Sequence, residues 1–151
     1  MPSKVAKYLQ QVRVFQPLLL LCIHFTGGMP GRGTEIGTLK WCNTRTSMRN
    51  VFVLHGQLLV IVEYQKAQRT TNKAYYVVRA LPPLVSQLLF YYLAFVRPFA
   101  EFLSYQTSQL FSKESSMPYI FTTSSGAPFQ ADQLTAILKK HSKGTLTVTL
   151  Y

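Results

Sequence analysis

The residue types best suited to chemistry lie in the stretch Thr26-Gly27-Gly28-Met29-Pro30-Gly31-Arg32-Gly33-Thr34-Glu35-Ile36. Arg32 stands between two glycines, and Glu35 follows three residues later. A guanidinium offers a planar fork of donors and keeps its proton, which suits a phosphate oxygen. Four glycines and a proline in so short a span exclude an ordinary helix interior. The pattern predicts a helix that stops, a tight loop, and a second helix that starts near Arg32. Backbone N–H groups and the arginine fork would then point the same way. A second cluster of cations, Lys66, Arg69 and Lys73, falls in the run Gln65–Lys73, which holds no acid.

The elements that would position these cations can be read from periodicity. Apolar residues recur at helical spacing over 4–25, with Pro17 expected to kink or split the helix. Thr34–Cys42 reads as a second helix. Asn50–Leu54, Gln57–Tyr64 and Ala74–Leu81 read as three strands, joined by a tight turn at His55-Gly56 and by the basic loop. That arrangement predicts a small antiparallel sheet with a positive tip. Leu84–Leu103 is apolar almost all round and is expected to be a central helix interrupted at Pro98. Ser104–Met117 reads as a polar, serine-rich loop with room for one helical turn, and Ala131–His141 as a helix with Leu134, Ile137 and Leu138 inward. The expected class is α+β, mainly helical, with a three-stranded antiparallel sheet in a single partial domain spanning 1–151.

The charge balance narrows the function. Sixteen Lys and Arg face five Asp and Glu, a formal net charge of +11. Such an excess favours a polyanionic partner. Five carboxylates leave little for a two-carboxylate hydrolase or a multi-carboxylate magnesium site. Cys22 and Cys42 have no His or Cys at ligand spacing, so no metal site is expected, and both are read as reduced and buried. The N-terminus lacks the apolar core of a secretory signal. Leu18–Phe25 and Leu84–Val96 are too short or too interrupted to span a bilayer. A phosphate loop of the Gly-x-x-x-x-Gly-Lys-Ser/Thr type is missing from the sequence, so ATP hydrolysis is not expected of it.

The order of parts resembles the catalytic domain of a tyrosine recombinase. More closely, Leu19–Thr34 (LLLCIHFTGGMPGRGT), Thr44–Val53 (TRTSMRNVFV), Arg79–Pro82 (RALP), Leu88–Pro98 (LLFYYLAFVRP) and Asp132–Lys140 (DQLTAILKK) are similar to the fungal crypton-like branch. Relatives of that branch often occur within genes for telomere-linked RecQ-type helicases. The resemblance implies roles for particular residues. Arg32 matches the first catalytic arginine and Glu35 the acid that steadies it. Lys66 matches the lysine between the second and third strands, a proton donor for the departing 5′-oxygen. In the family's reaction a tyrosine attacks a DNA phosphodiester and forms a 3′-phosphotyrosyl link, without metal, ATP or other cofactor. The family's His-x-x-Arg box and nucleophilic tyrosine have no counterpart here. The chain stops at Tyr151, where that box should begin, and is expected to be inactive alone.

The resemblance also implies double-stranded DNA as partner, a homo-oligomer on DNA, nuclear localisation, and no membrane or small-molecule substrate. Arg69, Lys73, Lys40, Lys139, Lys140 and Lys143 are candidate backbone-phosphate contacts. Residue-level alternatives stay open. Arg32 could cap a turn and pair with Glu35, and any of the three loop cations could hold a phosphate. His24 reads as a satisfied core histidine, and Tyr75-Tyr76 and Tyr91-Tyr92 as packing residues before stacking platforms. The other functional readings are a non-catalytic DNA-binding remnant of a mobile element, an accessory region of a RecQ-like helicase gene, and a membrane-associated protein.

Overall fold

Ser3 opens the first helix by accepting a hydrogen bond from the Ala6 amide at 3.2 Å, the usual N-cap arrangement. The computed structural model describes residues 3–28, 33–64, 75–107, 118–123 and 126–142. Helix α1 (Lys4–Thr26) continues through Pro17 as one element, so the chain is not split there. Buried residues lie on both sides of the proline, Val12 before it and Leu19, Leu20 and Ile23 after it. Anchoring both halves in one core offsets the lost backbone hydrogen bond.

Helix α2 (Gly33–Gly37) is a five-residue turn, not the longer helix expected over Thr34–Cys42. Side chains in 38–50 satisfy the backbone in another way, as Asn, Ser and Thr often do. The Asn50 amide accepts from the Lys40 N–H and donates to the Ile61 carbonyl, both at 2.8 Å. Thr44 Oγ1 accepts from the Ser47 N–H at 3.0 Å, and Asn43 Oδ1 accepts from the Arg49 N–H at 2.9 Å. Lys40 pairs with Tyr119 in an isolated bridge. The result is an ordered connection from α2 to the sheet.

Strands β1 (Val51–Leu54), β2 (Gln57–Tyr64) and β3 (Tyr75–Ala80) form an antiparallel sheet in the order β1-β2-β3. The β1–β2 hairpin turns at His55 and Gly56, with φ of 49° and 76°. Two successive positive φ values give a turn whose twist matches the strands. Register assigns the faces: Val51 opposes Val60, and Val60 opposes Arg79. Leu58, Val60 and Val62 are buried on the inner face. Phe52, Ile61, Glu63 and Tyr76 belong to the outer face.

Helix α3 (Pro83–Tyr91), a π-helical turn (Tyr92–Val96) and helix α4 (Arg97–Thr107) continue one another. The Arg97 N–H bonds to the Tyr92 carbonyl, one residue wider than an α-turn. That wider turn accommodates the Pro98 ring, so the expected interruption takes the form of a π-turn just before the proline, through which the helical chain continues. The composite helix is less central than its composition suggests. Leu84, Phe90, Tyr91, Phe95, Phe99, Phe102 and Tyr105 are exposed. Tyr92 is the buried anchor, 1% exposed, with its hydroxyl donating to the Ile120 carbonyl at 3.3 Å. Burial pushes its pKa up to about 12, the Arg97 charge acting against the rise and Glu101 adding to it. Helix α5 (Ala131–His141) has its expected bounds and buries Leu134 and Leu138. It packs on α2, while α1 contacts all four other helices. Observed architecture and expectation agree at the coarse level: α+β, mainly helical, with a small three-stranded antiparallel sheet.

Candidate nucleic-acid interface

The expected site divides between described and undescribed residues. Arg32, Lys66, Arg69, Lys73 and Lys143 lie outside the described residues. So does Tyr151. What the structure does place are the segments that flank the two catalytic positions. Thr34, Glu35 and Thr38 follow Arg32, and Glu63 and Tyr76 bracket the loop that carries Lys66. All five line one open cleft of about 740 Å³ on the outer side of the sheet.

The cleft floor is the outer sheet face, with Phe52 and Ile61. One wall is α2, fixed by close packing. A Cβ added to Gly37 would collide with the Phe129 carbonyl oxygen, so only glycine lets α2 approach that strand-like segment. The opposite wall is the 40–50 connection, which contributes Lys40 and Arg49. Lys40 donates its ammonium to Ser47 Oγ and lies over the Tyr119 ring, 5.8 Å from its centroid. Its charge thus faces the cleft from a fixed position. The Arg49 guanidinium lies 5.0 Å from the Phe52 ring centroid. Both contacts are in the range of cation–π attraction. Glu35 is half-buried on the α2 wall, and Glu63 is exposed on the sheet floor. The cleft therefore mixes cations, two carboxylates and aromatic edges.

Arg49 and Tyr76 carry no motif that marks them in the sequence as site residues. Tyr76 is 64% exposed, so the strand-packing reading of Tyr75-Tyr76 is corrected; both rings stand on an edge strand with little covering them. The available signal is the missing alternation of Tyr-Tyr-Val-Val-Arg-Ala, which suits an edge better than a buried strand. Lys139 and Lys140 are exposed on the last turn of α5, and neither lines this cleft. Cys22 is exposed and Cys42 partly so, both as free thiols, which corrects their assignment to the interior.

His24 departs from expectation in a different way. It is a core residue, 5% exposed, yet its Nδ1 is buried without a hydrogen-bond partner. Burial, and then the positive charge of Arg79, lower its pKa below the ordinary 6.5. Arg79 Nε is likewise buried without a partner. Each orphaned polar atom costs about 1–3 kcal/mol. A different arginine, Arg97, is buried and fully employed. Its Nε donates to Glu101 Oε1 at 2.8 Å, and another of its nitrogens to the Tyr119 carbonyl. Its guanidinium also lies 5.2 Å from the Trp41 ring centroid. Arg97 ties α4 to the 39–41 and 118–120 segments that frame the cleft.

Among the described residues no group of His, Cys, Asp and Glu could hold a metal ion, and no helix is long and apolar enough to cross a membrane. No protein-family model matches the chain, and no solved structure matches it.

Proposed function

We propose that this chain binds the sugar–phosphate backbone of double-stranded DNA as part of a catalytic domain of the tyrosine recombinase type, with a partial form of that fold. One observation carries the reading: the residues following Arg32 and those bracketing the Lys66 loop line a single cleft. The chemistry is consistent with it. Arg32 would neutralise a scissile phosphate, Glu35 would steady Arg32, and Lys66 would protonate the departing 5′-oxygen. Lys40 and Arg49 add fixed positive charge to the same cleft. Arg69, Lys73, Lys139, Lys140 and Lys143 are proposed to contact phosphates beyond it. Within a longer parent such contacts would serve strand cleavage and rejoining in the nucleus, on DNA-bound oligomers. These 151 residues contain no His-x-x-Arg box and are not expected to cleave DNA by themselves.

Duplex affinity measured against salt tests the reading. Each neutralised phosphate adds about 0.9 to the log–log slope. A steep fall in affinity is expected, and Arg32→Ala and Lys66→Ala should each reduce the slope by about that amount. A flat salt response would remove the DNA reading, and slopes unchanged in both variants would remove those two residues from it.

A further inference from the structure

We propose that two copies of this chain pair, without DNA, through an aromatic face of the composite α3–α4 helix and the groove beside it. The face follows from helical spacing. Tyr91, Phe95, Phe99, Phe102 and Tyr105 recur three or four residues apart, so they share one stripe. Phe90 widens it, its ring 6.1 Å from that of Tyr91. The Tyr91 and Phe95 rings are also 6.1 Å apart, so the stripe crosses the π-helical turn without a gap. Phe99 meets Tyr8 of α1 edge-on at 5.3 Å. Val85, Leu89 and Tyr92, by contrast, are buried in the core. At the N-terminal end of the stripe, Phe90 and Tyr91 line a groove of about 640 Å³ between α3 and the β1–β2 hairpin. Gln87, also in that lining, donates to the Tyr91 hydroxyl at 3.0 Å and so orients the ring.

Area and charge choose the occupant. The six aromatic side chains are 47–64% exposed. At about 100 Å² each they offer roughly 600 Å², the upper end for an apolar patch on a monomer. A stable dimer needs about 800 Å² per partner, and the groove with the exposed Leu84 and Val53 extends the patch toward that size. The chain has a net charge of +11, yet residues 83–107 hold Arg97 and Glu101 as their only charged side chains. Those two pair with each other at 2.8 Å. The groove lining holds no Lys, Arg, Asp or Glu. A polyanion or an anionic lipid surface therefore finds no free cation on this face. A second copy meets it with no like charge in opposition. The self-complementary arrangement is a two-fold pair, stripe against stripe, with each groove taking a ring from the facing helix. The groove shares no lining residue with the cleft on the outer sheet face, so the pair does not rest on the DNA reading.

Sedimentation velocity of the intact chain, freed of nucleic acid, tests the pair over a rising concentration series. The wild type should pass reversibly from one-chain to two-chain mass in the micromolar range. Added salt should not weaken the pair, because no charges are bridged. Tyr91→Glu and Phe95→Glu should each weaken it at least tenfold. Phe95→Leu should weaken it less, and circular dichroism melts of all three variants guard against a folding failure. Val78→Glu, at an exposed apolar residue paired with Ile61 on the outer sheet face, should leave the pair intact. A chain that stays single at every concentration overturns the proposal, and so does a pair that forms only when duplex is added. Equal loss in Val78→Glu and Phe95→Glu moves the contact off this face and overturns it too. A single chain that instead binds uncharged phosphatidylcholine vesicles through Tyr91 and Phe95 assigns the face to lipid and overturns the pair.

Discussion

At the scale of single residues, buried polar groups make the sharpest claims. His24 is kept neutral by burial, aided by the charge of Arg79. The unfolded chain takes up a proton on this ring near pH 6.5, while the folded chain resists until its lower pKa. Stability should therefore fall as pH drops below about 6.5 and level off below the native pKa. Thermal melts across that interval should show the loss in the wild type and its absence in His24→Gln. Tyr92 acts at the other end of the scale. Its hydroxyl ordinarily ionises near 10.0 and here is pushed up to about 12. Its contribution is complete below pH 10 and is lost as pH rises toward 12, a limb that Tyr92→Phe should lack. The same variant should cost about 1 kcal/mol at neutral pH through the lost bond to the Ile120 carbonyl. Arg97→Ala should cost about 1–3 kcal/mol by denaturant unfolding, because it leaves the Tyr119 carbonyl without its donor, while the half-exposed Glu101 carboxylate can turn to water. Lys139→Ala, on an exposed helix end, should change stability by less than about 0.5 kcal/mol.

At the scale of elements, Gly37 decides how α2 sits. Gly37→Ala would drive a methyl group into the Phe129 carbonyl. A loss of about 1–3 kcal/mol in chemical denaturation is expected, with the cleft wall displaced. Much of this level is legible in the sequence. The hairpin turn at His55-Gly56, the three strands and the 131–141 helix follow from turn chemistry and periodicity, and the structure has them within a residue or so. The failures share one cause: local patterns do not report tertiary partners. The Thr34–Cys42 helix loses to hydrogen bonds from Asn50, whose partners at Lys40 and Ile61 are remote in sequence. Pro17 reads as a possible split because its ring cost is local, whereas the core contacts on both sides of it, in which α1 stays one helix, are not. Composition alone makes the composite α3–α4 helix look central, and its exposed aromatic residues show that greasiness does not reveal which face is covered. The cleft is only half legible. Of the described cleft residues Glu35 emerges from motif order, whereas no motif assigns a role to Arg49 or Tyr76.

At the scale of the whole molecule, a net charge of +11 sits on a frame whose described acids are few and partly engaged. Long-range attraction to a polyanion follows from that balance alone. Placement adds to attraction: the segment that follows Arg32 and the strand ends that bracket the Lys66 loop line one cleft. The most direct measurement is a map of backbone amide shifts as a short DNA duplex is added to the intact chain at low salt. The account predicts that the largest changes fall on Thr34, Glu35, Thr38, Arg49, Glu63 and Tyr76, and that they collapse in an Arg32→Ala, Lys66→Ala double variant. Changes confined to the far end of α5, or a cleft whose amides stay still while DNA binds elsewhere, would contradict it.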